Sequence, residues 1–139
     1  MDKFIEVLIK LSDKAESIGD IPVGAIVVKG NKIIGKGYIN RIKSKRVISH
    51  AEVNAIIDAS KKLNDWRLND CDLYVTLEPC DMCYEIIKQS RIKNVYYLLE
   101  NKEKHKYNKT NVHILKYNEE TVNLYRKKLS NFFAKNLNR

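Results

Sequence analysis

The sequence predicts a layered α/β domain, on three observations. Short apolar runs alternate with helical apolar stripes along the whole chain. Turn-forming residues separate them. The 139 residues are enough to bury roughly two-thirds of the unfolded surface in one core. One domain over 1–139 is therefore expected, with no linker, repeat or low-complexity tract.

Phe4, Val7, Leu8, Leu11, Ala15 and Ile18 recur at three- and four-residue steps, the stripe of a first helix ending near Gly19. The apolar run Pro22–Val28 predicts a strand covered on both faces. Lys29-Gly30-Asn31-Lys32 turns the chain, and 33–38 returns as an antiparallel strand. Arg41 to Arg46 is a basic, exposed loop. Ser49 is a plausible N-cap with Glu52 three residues later, so a second helix starts near it, with Val53, Ile56 and Ile57 inward.

Asp72–Leu77 is a third strand, and Pro79 forces an extended approach and a break. A helix then runs from about Cys80 to Gln89 with Ile86 and Ile87 inward. Residues 93–99 form a fourth strand and Val112–Leu115 a short fifth. Helices over 119–128 and from Leu129 through Phe132, Phe133 and Leu137 close the chain.

Composition narrows the setting. Three cysteines make a poor disulfide framework and suit a reducing compartment. Cys71 is expected as a small buried residue near a strand start. No apolar run approaches the roughly 18 residues that cross a bilayer, so no membrane role is expected. Asp2, Lys3, Glu6 and Lys10 do not make a signal peptide. A cytoplasmic protein is expected. Residues 1–87 hold 13 basic and 13 acidic side chains, whereas 88–139 hold 13 basic and 4 acidic, the whole net charge of +9. That asymmetry suits a polyanionic partner such as nucleic acid.

The chemistry lies in His50-Ala51-Glu52 and Pro79-Cys80-Asp81-Met82-Cys83. His50, Cys80 and Cys83 offer three ligands for one zinc ion, which leaves a tetrahedral position open, as catalytic zinc sites require. Cys80 and Cys83 stand three apart at a helix start, where the helix dipole favours the thiolate. Glu52 need not touch the metal and is free to carry protons to and from a bound water. A closed, structural site would need a fourth ligand. The spare candidates Cys71, His105 and His113 lie off the motif spacing.

His-x-Glu followed by Pro-Cys-x-x-Cys is the general signature of the zinc-dependent base deaminases. With Ile21-Pro22-Val23-Gly24-Ala25, Trp66-Arg67-Leu68, Leu73–Pro79 and Ser90-Arg91-Ile92 in the same order, the chain resembles the bacterial tRNA-specific adenosine deaminases of the cytidine deaminase-like superfamily. The similarity covers about residues 4–98. Leu129 to Phe133 resembles the end of the family's C-terminal part.

The resemblance implies a three-layer α/β/α sandwich with a five-stranded mixed sheet. It implies one zinc ion per chain and conversion of the wobble adenosine of a tRNA anticodon loop to inosine, usually by a homodimer. Water made acidic by the metal is the expected nucleophile at C6, and Glu52 the proton shuttle. By the same resemblance Asn40, Val23 and the Ala51 backbone hold the flipped base. Phe132 or Phe133 shapes the nucleotide pocket, or both pack in the core or a dimer interface. A deaminase of free bases or nucleotides (guanine, cytosine or dCMP) and a non-catalytic RNA-binding subunit are the alternatives.

Three departures bear on substrate. Gly37-Tyr38-Ile39-Asn40 puts Asn one place later than the family's Gly-x-Asn. Arg46-Val47-Ile48-Ser49 replaces its Asp-Pro. The loop after the fourth strand, Gly-rich in the family, contains no glycine; Asn101 stands near the place of its usual acid.

Overall fold

The computed structural model describes residues 2–102, 106–108 and 111–136. Five strands form one sheet in the order β2-β1-β3-β4-β5. They are β1 (Gly24–Lys29), β2 (Lys32–Tyr38), β3 (Cys71–Leu77), β4 (Asn94–Leu99) and β5 (Val112–Ile114). β1 pairs antiparallel with both β2 and β3, while β3–β4 and β4–β5 are parallel. The mixed sheet is the expected one.

Helices cover both faces. α1 (Asp2–Ser17) and α5 (Glu119–Lys135) lie on one side, α3 (Ala51–Leu63) and α4 (Asp81–Gln89) on the other. Phe4, Leu8 and Leu11 of α1 pack with Ile26, Tyr74 and Tyr125. Ala55, Ala59 and Ile87 pack with Val27, Leu73 and Val75 on the opposite face. Side chains of β1 and β3 therefore alternate between two cores, each large one contributing roughly 1.5–3 kcal/mol by leaving water.

The seat of α3 is unusually close. A β-carbon on Gly35 would lie 2.4 Å from the Ala55 carbonyl oxygen, so β2 meets α3 almost backbone to backbone. Asn54 fixes the same joint by donating from Nδ2 to the Tyr38 carbonyl (2.9 Å) and to Ser49 Oγ (3.0 Å).

α1 ends at Ser17, near Gly19 as expected, and the φ of +85° at Gly19 makes the turn. Several other local expectations change. The basic stretch is not all loop: Arg41–Ser44 forms the single helical turn α2. Asp20 causes it, because its Oδ2 accepts from the backbone N–H of Arg41 (2.7 Å) and Ile42 (3.1 Å). His50, not Ser49, is the N-cap of α3. Ser49 is buried with its hydroxyl engaged by Asn54, and the His50 carbonyl accepts the first helical bond, from the Asn54 N–H.

Ile57 points outward at 47% exposure, since the close approach of β2 centres the buried face on Ala55 and Ala59. Ile86 is only partly buried, beside the buried Ile87. The two C-terminal helices are one, α5. Leu137 lies outside the described residues. Cys71 is buried at the first position of β3, as expected.

Candidate metal centre and active-site cavity

Two helix starts meet at one edge of the sheet. His50 is the N-cap of α3, and Cys80 is the N-cap of α4 rather than its first residue. Both caps are extended, with ψ of 157° and 171°, which turns each chain sharply from an approach segment into a helix. β3 delivers Pro79 and Cys80, and the first turn of α4 swings Cys83 back to face Cys80.

The His50 Nδ1 atom lies 3.9 Å from Cys80 Sγ and 3.3 Å from Cys83 Sγ. A tetrahedral zinc ion with ordinary bond lengths separates a ligating nitrogen and sulfur by roughly 3.6 Å. The three donor atoms all fall within 4.8 Å of one another. One imidazole and two sulfurs at these spacings fit a single zinc ion. Among the described residues, no other histidine, cysteine, aspartate or glutamate joins the cluster. Cys71 starts β3, whereas the site lies past its end, roughly 20 Å away at 3.3 Å per residue. His113, on β5, packs against the Tyr96 ring and reaches Asn94 Oδ1 instead. His105 lies outside the described residues.

Electrostatics favour a thiolate at Cys80. The Cys83 thiol donates to Cys80, and this bond outweighs the opposing effect of burial to pull the Cys80 thiol down to about 4. The same bond, then burial and the nearby Glu52 charge, push Cys83 up. The Cys80 sulfur raises His50, against the effect of burial.

Glu52 belongs to the first turn of α3 and is 4% exposed. Its carboxyl sits against Cys83 but outside the ligand cluster. Burial pushes it up to about 7, partly opposed by a backbone hydrogen bond and the His50 charge. A carboxyl near that value takes and gives protons at neutral pH.

Glu52, His50 and Cys80 line a cavity of about 570 Å³. Val23 and Ala51 line it too, and from α5 so do Arg126, Leu129 and Phe133. Phe132 instead lines a neighbouring groove between α1 and α5. Asn40 is not part of the cavity wall, and its Oδ1 is buried with no hydrogen-bond partner among the described residues.

Arg41, Lys102 and Arg126 bring positive charge to the wall, and Glu78 and Glu100 negative. Sequence reasoning placed Arg41 in a basic loop and Arg126 in the basic C-terminal third, and gave Glu78 and Leu129 no place at the site. Leu129 comes from a helix some 80 residues beyond His50, marked in the sequence by its apolar spacing and by the likeness of Leu129 to Phe133 to the end of the family's C-terminal part. α5 is anchored by Tyr125, 1% exposed, whose hydroxyl donates to the Pro22 carbonyl at 2.7 Å, next to Val23.

The comparisons agree with this geometry. Residues 1–99 match the family model for the cytidine and deoxycytidylate deaminase zinc-binding region. A tRNA-specific adenosine deaminase of Buchnera aphidicola subsp. Baizongia pistaciae is 42% identical over 104 residues, covering 75% of this chain and 64% of that one. The chain thus spans somewhat under two-thirds of that relative.

A structure from work on A-to-I editing by tRNA:A34 deaminases superimposes with a TM-score of 0.74 at 27% identity, covering 82% of this chain and 98% of that one. A guanine deaminase from Bacillus subtilis gives 0.66 at 39% identity, covering 71% and 64%. With the His/Cys/Cys cluster, the buried glutamate and the mixed sheet in place, the chain belongs to the family of the cytidine and deoxycytidylate deaminase zinc-binding region.

Proposed function

We propose that the chain deaminates adenosine to inosine at the wobble position of a tRNA, with His50, Cys80 and Cys83 as zinc ligands and Glu52 as the proton shuttle. The buried Glu52 carboxyl beside the three ligands carries the reading. A zinc ion held there supplies Lewis acidity, bringing the pKa of a bound water to about 7. Glu52 takes a proton from the attacking water and hands it to the ring nitrogen beside C6. A second transfer through Glu52 protonates the departing amine. The C6–O bond forms, the C6–N bond breaks, and ammonia leaves.

The cavity wall supports a base-sized ligand. Val23 and Phe133 offer apolar contact, and Ala51 lines the same wall, where its backbone would meet a base edge. Asn40 enters this reading only if its carboxamide turns toward the cavity, where its buried Oδ1 would gain a partner. Phe132 faces the neighbouring groove and serves packing or a dimer contact. RNA is favoured over a free base by the +9 charge and by Arg41, Lys102 and Arg126 at the wall. The tRNA-specific relative supports the same substrate. A homodimer in a cytoplasmic setting completes the proposal. No described helix is long and apolar enough to cross a membrane.

The likeness to a guanine deaminase favours one second reading, a free purine as substrate. Ammonia release from a tRNA anticodon stem-loop, measured beside free guanine, cytosine and dCMP, separates the two. Turnover of the stem-loop is expected. Turnover of small molecules alone would overturn the RNA assignment and leave the deaminase chemistry standing.

A further inference from the structure

The segment after β4 folds back onto the turn that carries the two sulfur ligands. Five contacts made by residues 106–108 bracket that turn. The Lys106 N–H donates to Asp81 Oδ1 at 3.1 Å. The Tyr107 ring stacks on Tyr84, centroids 3.9 Å apart and planes 7° from parallel. Tyr84 in turn donates its hydroxyl to the Asn108 carbonyl at 3.1 Å. The Tyr107 hydroxyl reaches the Pro79 carbonyl at 2.9 Å and Glu78 Oε2 at 3.3 Å. Asp81 and Tyr84 directly follow Cys80 and Cys83, and Glu78 and Pro79 directly precede Cys80.

The Pro79 contact bears most directly on the metal. A peptide is planar, so fixing the Pro79 oxygen fixes the plane that contains the Cys80 nitrogen and Cα. The direction in which Cys80 presents its sulfur follows from that plane. The Glu78 carboxylate is 1% exposed and accepts from the Asn101 N–H at 3.2 Å through Oε1. The Glu78 N–H donates to the Leu99 carbonyl at 2.9 Å. Glu78 thus ties the end of β3 to the end of β4, and the Tyr107 phenol joins that tie to the ligand turn.

We propose that Tyr107 is a positioning residue for the zinc centre, its hydroxyl aiming Cys80 through the Pro79 carbonyl and Glu78. Groups that hydrogen-bond behind metal ligands orient them, and losing one costs about 10- to 100-fold in metal affinity or activity. The proposal rests on the zinc ligands alone and is independent of which base is deaminated.

The test is Tyr107→Phe, which removes both hydroxyl contacts and keeps the ring stack. Tyr107 is only half-buried, so the variant keeps the fold. Zinc affinity is measured by competition with a chromogenic chelator, and the Co²⁺-substituted protein is examined in the visible ligand-field region. The expected result is about 10-fold weaker zinc binding or more, with shifted cobalt bands. Tyr84→Phe keeps the stack, loses the Asn108 contact and is expected to bind zinc as the parent does. Parental zinc affinity and an unchanged cobalt spectrum in Tyr107→Phe would overturn the proposal. An equal loss in Tyr84→Phe would overturn it too, because general ordering of the segment would then explain the effect.

Discussion

Gly37 and Ala51 leave no room for a side chain between them: a β-carbon on Gly37 would sit 2.4 Å from the Ala51 carbonyl oxygen. The same β-carbon would lie 2.4 Å from the Ala55 nitrogen. Both are backbone atoms of α3, so no side chain can swing aside. Ala51 is flanked by His50 and Glu52, and β2 therefore sets the height of α3 at the point where it delivers its ligand and its carboxyl.

Gly37→Ala is accordingly expected to push the start of α3 off β2. Overpacking of this kind costs typically 1–3 kcal/mol, read as a lower denaturation midpoint with unchanged slope. Activity is expected to fall further than stability explains, since His50 and Glu52 move with the helix. Gly30→Ala is the comparison. A β-carbon there meets nothing within 4 Å, though its φ of +63° makes the turn strained. It should cost stability without a disproportionate loss of activity.

The donor set was legible because it is local. His50 and Glu52 are two residues apart, Cys80 and Cys83 three, and each pair sits at a helix start that its own sequence announces. The strand pattern was legible because β1 and β3 are covered on both faces and read as apolar runs. Asp20 was not legible, because it organises a turn more than twenty residues downstream, and no local pattern marks an aspartate as another segment's hydrogen-bond acceptor. Tyr107 was hidden in a polar stretch for the same reason. Ile57 was misplaced because a smooth helical stripe cannot reveal that two glycines in a strand will shift the contact onto the alanines.

Glu52→Gln separates chemistry from binding. It keeps the shape of the side chain and removes its capacity to carry a proton. Loss of a positioned acid–base group costs typically 10²- to 10⁴-fold in turnover. Zinc content by atomic absorption is expected to stay at one per chain, because Glu52 lies outside the ligand cluster. Cys83→Ser, by contrast, is expected to lose both zinc and activity. Parental turnover in Glu52→Gln would end its role as shuttle.

Asp20 gives the fold a defined acid dependence. Burial alone would raise its pKa, but the N–H groups of Ile42, Ile21 and Arg41 and the Arg41 charge outweigh it and hold the carboxyl low. Its side chain is fully buried against Arg41, 3.5 Å away. A carboxylate whose folded pKa is depressed contributes stability above its unfolded pKa, near 3.9. That contribution is lost as pH falls through the folded value. Asp20→Asn should therefore be less stable than the parent at pH 7, and the gap should close below about pH 4. Denaturant unfolding across this range checks it, and a gap that stays constant to low pH would show that the charge is not the cause.

Arg126 offers a test of the polyanion reading at the cavity itself. It projects from α5, the helix that Tyr125 ties to Pro22, and it lines the cavity beside Leu129 and Phe133. A phosphate contact there releases condensed counterions, so binding of an anticodon stem-loop should weaken as salt rises. Removing one phosphate contact lowers the salt slope by about one unit and weakens different sequences alike. Arg126→Ala is thus expected to flatten log K against log salt by about that amount, with weaker binding at low salt and nearly parental binding at high salt. Lys3→Ala, on α1 with its ammonium 5.5 Å from the Phe4 ring, is the comparison and should leave the slope alone. Equal slopes for Arg126→Ala and the parent would move the RNA contacts away from α5. The remaining candidates at the wall would then be Arg41, held on its helical turn by Asp20, and Lys102, just past the end of β4.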